Sequence, residues 1–429
     1  MNTPPLTLPE TEARVDAARL RRIIFAASIG NTLEWFDLLV YGFFAVTISK
    51  LFFPSHDEAT SLLLTLGTFG LSYLIRPIGA LVLGGYADRV GRKASLLLSI
   101  TLMMAGTLLI ATMPTYASIG IFAPLGIMLS RLMQGFSAGG EFGSSTAFLV
   151  EHAPHRRGFM SSWQYASQGL SMLLASGFGA LLTSTLTTSQ LEGWGWRIPF
   201  LFGLAIGPIG LYIRNYVDES AEFRTQERTA SPVRELLASQ KISLLLSIGA
   251  IAISTAISYL LLYMPTYAIK NLGLPPSTGF IATLATSLLL MVGTPFVGHW
   301  SDSIGRSRLM TVAVIVMLVT IWPAFALLTR HPSLATMLAA LLWIGLLKTA
   351  YSGALPALMA EMFPAQTRAT GLSIGYNIGV TMFGGFAPAI VTWLVNATGD
   401  SLSPAFYLMG CAVLSLAALV TARVRLHIR

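Results

Sequence analysis

Charged side chains occur inside long apolar stretches of this 429-residue chain, where each one is energetically costly. Glu34, Asp37 and Glu141 are acidic, whereas Arg131 and Lys348 are basic. Ionisable groups within a membrane mark a substrate or proton pathway. A carboxylate in a medium of low dielectric constant takes up a proton more readily than one in water. We therefore predict that Glu34, Asp37 and Glu141 carry protons.

Arginine is suited to binding an anionic substrate, because its planar guanidinium donates two parallel hydrogen bonds to a carboxylate. Arg131 is the first candidate for this role. Amide, hydroxyl and ammonium groups in other apolar stretches complete the predicted substrate-binding set: Arg131, Gln134, Gln164, Gln168, Lys348, Tyr351 and Asn377. The alternative is that buried charges only pair with one another, with Arg76 among the bases. Arg76 itself is assigned a structural role, since Pro77 follows it.

A short loop pattern occurs twice in the chain, 214 residues apart. Residues 84–92 and 298–306 both read Gly-x3-Asp-x2-Gly-Arg, and each copy lies between two apolar stretches. A second repeat, 210 residues apart, pairs Glu151 with Glu361. Repetition at half the chain length inside apolar helices is typical of the two-fold bundles of secondary transporters.

The repeated loops suggest a gate that closes one side of the bundle. Each aspartate would lie near the positive N-terminal end of a helix, and each arginine would bridge to an acidic residue. The glycines would let helices approach closely. The alternative is a plain basic anchor. The predicted gating residues are Gly84, Asp88, Arg92, Gly298, Asp302, Arg306, Glu151 and Glu361.

Composition places the chain in a membrane, because 54% of its residues are hydrophobic and only 11% are charged, against about 25% charged in soluble domains. About twelve stretches are long enough to span a bilayer. They cover residues 23–48, 60–85, 94–113, 119–149, 157–183, 197–217, 241–267, 276–300, 309–329, 333–360, 369–396 and 402–422. The predicted fold is an all-α membrane protein with twelve transmembrane helices in two pseudo-symmetric six-helix bundles.

The basic residues predict orientation. Of 27 lysines and arginines, 20 fall on one side of the predicted spans, which places both termini in the cytoplasm. Their alternation from loop to loop differs from the single basic face of a nucleic-acid-binding protein. The predicted units are a cytoplasmic N-terminal segment, a six-helix bundle, a charged linker and a second six-helix bundle, at residues 1–22, 23–217, 218–240 and 241–425.

The chain lacks the sequence features of several classes of enzyme and of metal-binding protein. Cys411 is the sole cysteine, so neither an internal disulfide nor a thiolate metal site is expected. Residues 135–139 fit Gly-x-Ser-x-Gly, but no strand precedes them, and small residues spaced by four favour helix contact. The sequence has no Gly-x4-Gly-Lys-Ser/Thr phosphate-binding pattern, so ATP-driven transport is not expected. We expect no enzymatic activity, no metal and no cofactor beyond a proton gradient.

Three stretches carry a family resemblance: residues 30–37 (Gly-Asn-Thr-Leu-Glu-Trp-Phe-Asp), 131–141 (Arg-Leu-Met-Gln-Gly-Phe-Ser-Ala-Gly-Gly-Glu) and 194–200 (Trp-Gly-Trp-Arg-Ile-Pro-Phe). With the loop at 84–93, they resemble the metabolite:proton symporter branch of the major facilitator superfamily. Residues 383–390 and 398–404 are similar to citrate and tricarballylate symporters, and residues 361–366 to the α-ketoglutarate permease. Lys348 departs from the pattern expected at its position.

The resemblance implies proton-coupled uptake across a bacterial inner membrane by a monomer. The expected substrate is a small di- or tricarboxylate such as citrate, tricarballylate or α-ketoglutarate. The alternative is a zwitterionic osmolyte, proline or betaine, or a shikimate-like metabolite. Glu34, Asp37, Arg76, Arg131 and Glu141 occur in members with differing substrates, so they do not identify the solute.

Overall fold

A computed structural model describes residues 17–90, 92–215 and 232–428. These residues form helices joined by short connections, and strand is absent from these ranges. Within the described residues, each of the twelve predicted spans coincides with a largely helical stretch, which confirms the predicted all-α class.

The first half of the chain contains α1 (Ala17–Phe43), α2 (Ala45–Phe52), α3 (Glu58–Leu74), α4 (Arg76–Val90), α5 (Arg92–Thr112), α6 (Tyr116–Ile119), α7 (Phe122–Ser137), α8 (Glu141–His152), α9 (Arg157–Thr185), α10 (Thr188–Gly193) and α11 (Ile198–Asn215). The second half contains α12 (Pro232–Ser239), α13 (Lys241–Lys270), α14 (Pro276–Ile304), α15 (Arg306–Arg330), α16 (Leu334–Ser352), α17 (Leu355–Glu361), α18 (Arg368–Val380), α19 (Ala387–Thr398) and α20 (Ser403–Arg425).

Several predicted spans are broken into two helices. The axis turns by 64° between α1 and α2. A 3-10 turn, Ala138–Gly140, separates α7 from α8, and a π turn, Thr381–Gly385, separates α18 from α19. Glycine weakens a helix and proline removes a backbone donor, so breaks are expected where these residues cluster. Irregular backbone at membrane depth is tolerated where it is buried in protein or lines a cavity.

Seven helical segments of the described residues are long and apolar enough to cross a membrane, and the bent pair α1–α2 makes an eighth. Other segments, such as α9, are long but carry buried polar side chains, including Gln164 and Gln168. Their polar faces lower the mean hydropathy because they contact other helices instead of lipid.

The predicted unit boundaries lie partly outside the described residues. Residues 1–16 and 216–231 lie outside the described residues, and the second of these ranges includes most of the predicted linker. The end of the linker is helical, as α12. Helix α1 begins six residues before the predicted span, at Ala17.

Close glycine contacts join α7, and the 3-10 turn that follows it, to the α3–α4 pair. A Cβ atom on Gly135 would lie 1.9 Å from the Ser72 carbonyl oxygen, and one on Gly139 would lie 2.2 Å from that of Arg76. Backbone atoms cannot move aside as a side chain can. The Gly-x-Ser-x-Gly sequence is therefore a helix-packing surface, as its four-residue spacing predicted.

The two halves of the chain also pack closely, mainly through α9 and α14. A Cβ on Gly169 of α9 would lie 2.7 Å from the Met291 backbone nitrogen of α14. A Cβ on Gly298 of α14 would lie 2.6 Å from the Gly158 carbonyl oxygen. The halves therefore meet backbone to backbone along these two helices.

We predict that Gly135→Ala destabilises the folded protein by about 1–3 kcal/mol, the usual range for an overpacked core. Thermal unfolding in detergent measures this effect. Gly67→Ala is the matched control, because Gly67 lies in α3 with open space around its Cβ position. The control should be neutral or slightly stabilising, since alanine favours helix over glycine. Equal melting temperatures for the two variants would contradict the close packing of α7.

Candidate functional site

A central cavity lies between the two halves, at mid-height of the long helices. Its volume is about 20 Å³, which is room for about one water molecule. Helices α1 and α9 supply one wall, and α13, α14 and α16 supply the other. The lining residues are Trp35, Leu39, Tyr165, Gln168, Gly169, Met172, Ser258, Tyr259, Leu290 and Lys348.

Lys348 brings a cationic group into the central cavity. Its side chain is buried, its Nζ donates a hydrogen bond to Ser258 Oγ, and it lies 5.9 Å from the ring centroid of Tyr165. Across the described ranges, Lys348 forms no ion pair with a carboxylate. A buried ammonium without a counter-ion is costly, so the amine of Lys348 would hold its proton most stably beside an anionic ligand.

Polar groups continue from the cavity toward α18. Gln168 Nε2 donates to the Tyr376 hydroxyl at 3.4 Å, across the two halves. Tyr376 stacks on Phe142 with ring centroids 3.5 Å apart. Glu34 is half-buried, and it interacts electrostatically with Tyr376 and Arg76. Glu34 therefore belongs to the neighbourhood of the cavity.

An aromatic layer separates the cavity from Arg76. Tyr259 lies 6.1 Å from Trp35 and 5.3 Å from Tyr73, measured between ring centroids. The Arg76 guanidinium lies over Tyr73 at 4.4 Å and over Trp35 at 5.6 Å. Arg76 is thus held by cation–π contacts behind the cavity wall.

A second polar cluster lies within the first half, and we call it the Asp37 network: Asp37, Thr107, Gln134, Arg131 and Ser72. Arg131 Nη1 donates to Gln134 Oε1 at 2.8 Å, and Nη2 donates to Ser72 Oγ at 3.1 Å. Gln134 Nε2 donates to Thr107 Oγ1 at 2.9 Å, and Thr107 donates to Asp37 Oδ2 at 2.8 Å. All five side chains are buried.

The Asp37 network is separate from the central cavity. Asp37 Oδ1 would be 2.1 Å from a Cβ on Gly203, so the carboxylate points toward α11 and α5. Arg131 lies over the rings of Tyr41 and Phe69, at 4.6 Å and 5.1 Å. The sequence predicted Arg131 and Gln134 as substrate contacts, but the structure joins them to Asp37 instead.

Three other predicted substrate contacts use their polar groups within the protein. Gln164 Oε1 accepts from Ser145 at 3.3 Å. The Tyr351 hydroxyl donates to the Ala250 carbonyl at 2.6 Å. Asn377 Nδ2 donates to the Gly139 carbonyl at 2.6 Å, and so links the two halves.

Gln168 and Lys348 are therefore the predicted substrate contacts that line the cavity. Tyr165, Ser258 and Tyr259 also line it but were not predicted, because hydroxyl-bearing residues within apolar runs carry no distinctive sequence signal. The side chain of Glu141 lies outside the described part of the structure.

The predicted gate region lies where α14 ends and α9 begins, and we call this the basic end. Asp302 accepts hydrogen bonds from the backbone nitrogens of Gly158 and Phe159, at 2.8 Å and 3.1 Å. The N-terminus of α9 thus holds a carboxylate from the other half of the chain. Arg368 pairs with Glu151 at 3.4 Å, also between halves.

Other predicted gate contacts stay within one half or fall outside the described atoms. Arg306 pairs with Asp302 at 2.6 Å and contacts Glu361, and all three belong to the second half. Arg306 thus contacts Glu361, one of the acidic residues named for it, but this contact lies within the second half and does not itself join the halves. The side chains of Asp88 and Arg92, and the surroundings of Gly84, are outside the described part.

Contacts between the halves also occur at the opposite end of the bundle, which the sequence did not predict. Lys270 pairs with Glu58 at 2.5 Å. The ring of Phe280 lies 5.8 Å from Phe43 and 6.1 Å from Phe44, between centroids. The halves therefore touch on both sides of the central cavity.

Comparisons with known proteins agree with this architecture. Residues 23–242 and 215–422 match the family described as Sugar (and other) transporter. The chain is 38% identical over 411 residues to the citrate-proton symporter of Klebsiella pneumoniae, covering 95% of this chain and 92% of that protein. It is 34% identical to the proline/betaine transporter of Salmonella typhimurium, covering 96% and 85%.

The fold matches solved structures of the xylose transporter XylE from E. coli. One, of the proton:xylose symporter of the major facilitator superfamily bound to 6-bromo-6-deoxy-D-glucose, gives a TM-score of 0.76 at 17% identity, over 95% of this chain and 96% of that chain. The chain therefore belongs to the sugar (and other) transporter family, and it is a multi-pass membrane transporter with the major facilitator fold.

Proposed function

We propose that this protein is a proton-coupled symporter that imports a small di- or tricarboxylic acid by alternating access. Lys348 supports this proposal most strongly, because its buried ammonium in the central cavity has no carboxylate partner across the described ranges. A substrate carboxylate would supply that partner through a charge-assisted hydrogen bond. The resemblance to citrate-proton symporters supports the same substrate class.

A zwitterionic osmolyte such as betaine is the second candidate. The rings of Trp35, Tyr165 and Tyr259 line the cavity, and aromatic faces attract quaternary ammonium groups. Similarity to proline/betaine transporters favours this candidate. A protonated Lys348 would oppose it, because it would repel the cationic ammonium of betaine.

Helix α1 would couple proton and substrate. Trp35 faces the central cavity, whereas Asp37, two residues later, faces α5 and α11. Two residues correspond to about 200° around a helix, so one helix carries both sites on opposite faces. A proton bound at Asp37 would alter the packing of the helix that forms one wall of the substrate site.

The contacts at the two ends would serve as alternating gates. Asp302 and Arg368 join the halves at the basic end, and Lys270 joins them at the opposite end. We propose that the basic end faces the cytoplasm of a bacterial inner membrane, and that residues 23–217 and 241–425 rock as units within a monomer. Glu34, Glu141, Gly84, Asp88 and Arg92 remain predicted participants.

We predict that Lys348→Met lowers citrate uptake by about 10- to 100-fold, since a hydrogen bond to a charged group contributes about 1.5–3 kcal/mol. Proteoliposomes with an imposed inward proton gradient should be tested with labelled citrate, tricarballylate, α-ketoglutarate and betaine. Lys50→Met is the control, because Lys50 is half-exposed and pairs with Glu192. Accumulation of betaine alone by the wild type would reject the carboxylate assignment, and undiminished citrate uptake by Lys348→Met would reject this site.

We predict that Asp37→Asn abolishes proton-driven accumulation but preserves exchange of labelled for unlabelled substrate. The amide cannot carry a proton, whereas exchange needs no net proton release. Uptake and exchange are compared in the same vesicles. Asp57→Asn is the matched control, because Asp57 caps α3 at the exposed opposite end. Accumulation by Asp37→Asn at the wild-type level would remove Asp37 from the coupling mechanism.

We predict that Asp302→Asn opens the basic end, because an amide replaces one of the two carboxylate oxygens that accept from α9. Ser162→Cys, placed in a Cys411→Ser background, lies at the α9–α14 contact and reports access. Its rate of alkylation by N-ethylmaleimide should rise about threefold to tenfold. Asp400→Asn, which changes a loop at the other end, should leave the rate unchanged. Equal rates in both variants would contradict the gate.

A further inference from the structure

The Thr107 hydroxyl has one hydrogen but three polar atoms within hydrogen-bonding distance. Its Oγ1 lies 2.8 Å from Asp37 Oδ2, 3.0 Å from the Met103 carbonyl oxygen and 2.9 Å from Gln134 Nε2. A hydroxyl donates one hydrogen bond and accepts two. Asp37 and the Met103 carbonyl therefore compete for the same hydrogen.

Arg131 fixes the direction of the hydrogen bonds in this network. A guanidinium only donates, so the Gln134 oxygen must face Arg131 and the Gln134 amide nitrogen must face Thr107. One lone pair of the Thr107 oxygen is thus always occupied. With ionised Asp37, every bond from Arg131 through Gln134 and Thr107 donates toward the carboxylate.

The same atoms also satisfy the protonated state. When Asp37 Oδ2 gains a proton from solution, its new O–H donates to the free lone pair of Thr107. The Thr107 hydrogen then turns to the Met103 carbonyl, which is already within 3.0 Å. One O–H bond forms on Asp37, and no other covalent bond changes. The only hydrogen bond whose direction reverses is the one between Asp37 and Thr107.

We propose that Thr107 is a positioning residue that serves both protonation states of Asp37 and that links the carboxylate to Arg131 through Gln134. This inference rests on the proposed role of Asp37 as proton carrier. When the carboxylate is neutral, the aligned bonds no longer end on a negative charge, and Arg131 is held less firmly toward Asp37. Protonation of Asp37 thus weakens the electrostatic attraction between α7 and α1.

Among the described groups around Asp37, Arg131 is the charged one that interacts with it electrostatically. Within the described structure, α11 presents Gly203 to the carboxylate, and α5 presents Thr107. Arg131 and Gln134 come from α7, and Arg131 is the group with an electrostatic effect on Asp37. Asp37 Oδ1 has no hydrogen-bond partner in the described protein, so Thr107 supplies the donor to this carboxylate.

Infrared difference spectroscopy tests the inference without a substrate. Purified protein in lipid nanodiscs is titrated with acid, and the carbonyl band of the protonated Asp37 is identified by its loss in Asp37→Asn. Thr107→Val should move the midpoint of this band to higher pH by about one unit, because the ionised form loses its hydrogen-bond donor. Thr107→Ser should keep the wild-type midpoint, and Thr107→Cys, a weak donor, should lie between them.

Thr101→Val is the matched control. Thr101 lies on the same helix, and among the described residues its hydroxyl bonds only to the Leu97 carbonyl. This variant should titrate as the wild type does. In transport assays, Thr107→Val should lose about tenfold in net uptake relative to exchange, because proton release becomes harder.

Three results would overturn the inference. They are an unchanged midpoint in both Thr107→Val and Thr107→Cys, an equal shift in Thr107→Ser and Thr107→Val, and the absence of any carbonyl band that Asp37→Asn removes. The Cys and Ser variants decide the matter if the Val variant does not fold. Failure of the wild type to transport citrate would reject the proposed substrate alone, since the infrared titration would still report on Thr107.

Discussion

A carboxylate enclosed by helices inside a membrane must take its hydrogen bonds from protein, because water does not reach it in bulk. Asp37 meets this requirement through a line of donors that begins at Arg131. Burial of the carboxylate and burial of the arginine are therefore mutually dependent. Neither group could lie in the interior of the first half at tolerable cost without the other.

Because Asp37 lies on α1, this helix links the Asp37 network to the central cavity. One face of α1 packs in the Asp37 network, and the other borders the central cavity with Trp35 and Leu39. The helix ends at Phe43, where the chain bends by 64° into α2 and meets Phe280 of the second half. Tightly packed interfaces favour discrete arrangements over gradual deformation, so a change at Asp37 is expected to select between states.

Periodicity and charge predicted the helical spans and the side of the bundle on which Asp302 lies, because both depend on local sequence. They also marked Lys348 and Gln168, which line the cavity. The partners of Arg131 could not be predicted, since a helical period gives the face of a residue but not the neighbour that covers it. Tyr165 and Ser258 could not be predicted for a related reason. They line the cavity only because α9 and α13 meet across the two halves of the chain.

Glycine content alone did not predict which glycines would break a helix, because Gly139 and Gly353 lie in apolar runs that contain other glycines. Their effect depends on which backbone lies opposite. Gly139 approaches the Arg76 carbonyl, and Gly353 approaches Val297 and the Thr294 carbonyl. Tertiary approach thus decides where a predicted span bends.

The small size of the central cavity has a consequence for the leakage of ions across the membrane. A void of about 20 Å³ cannot enclose a sodium or potassium ion with its shell of water. We therefore expect the protein in this empty form to carry neither ion with its water shell across the bilayer, so that ionic gradients would be preserved between rounds of transport.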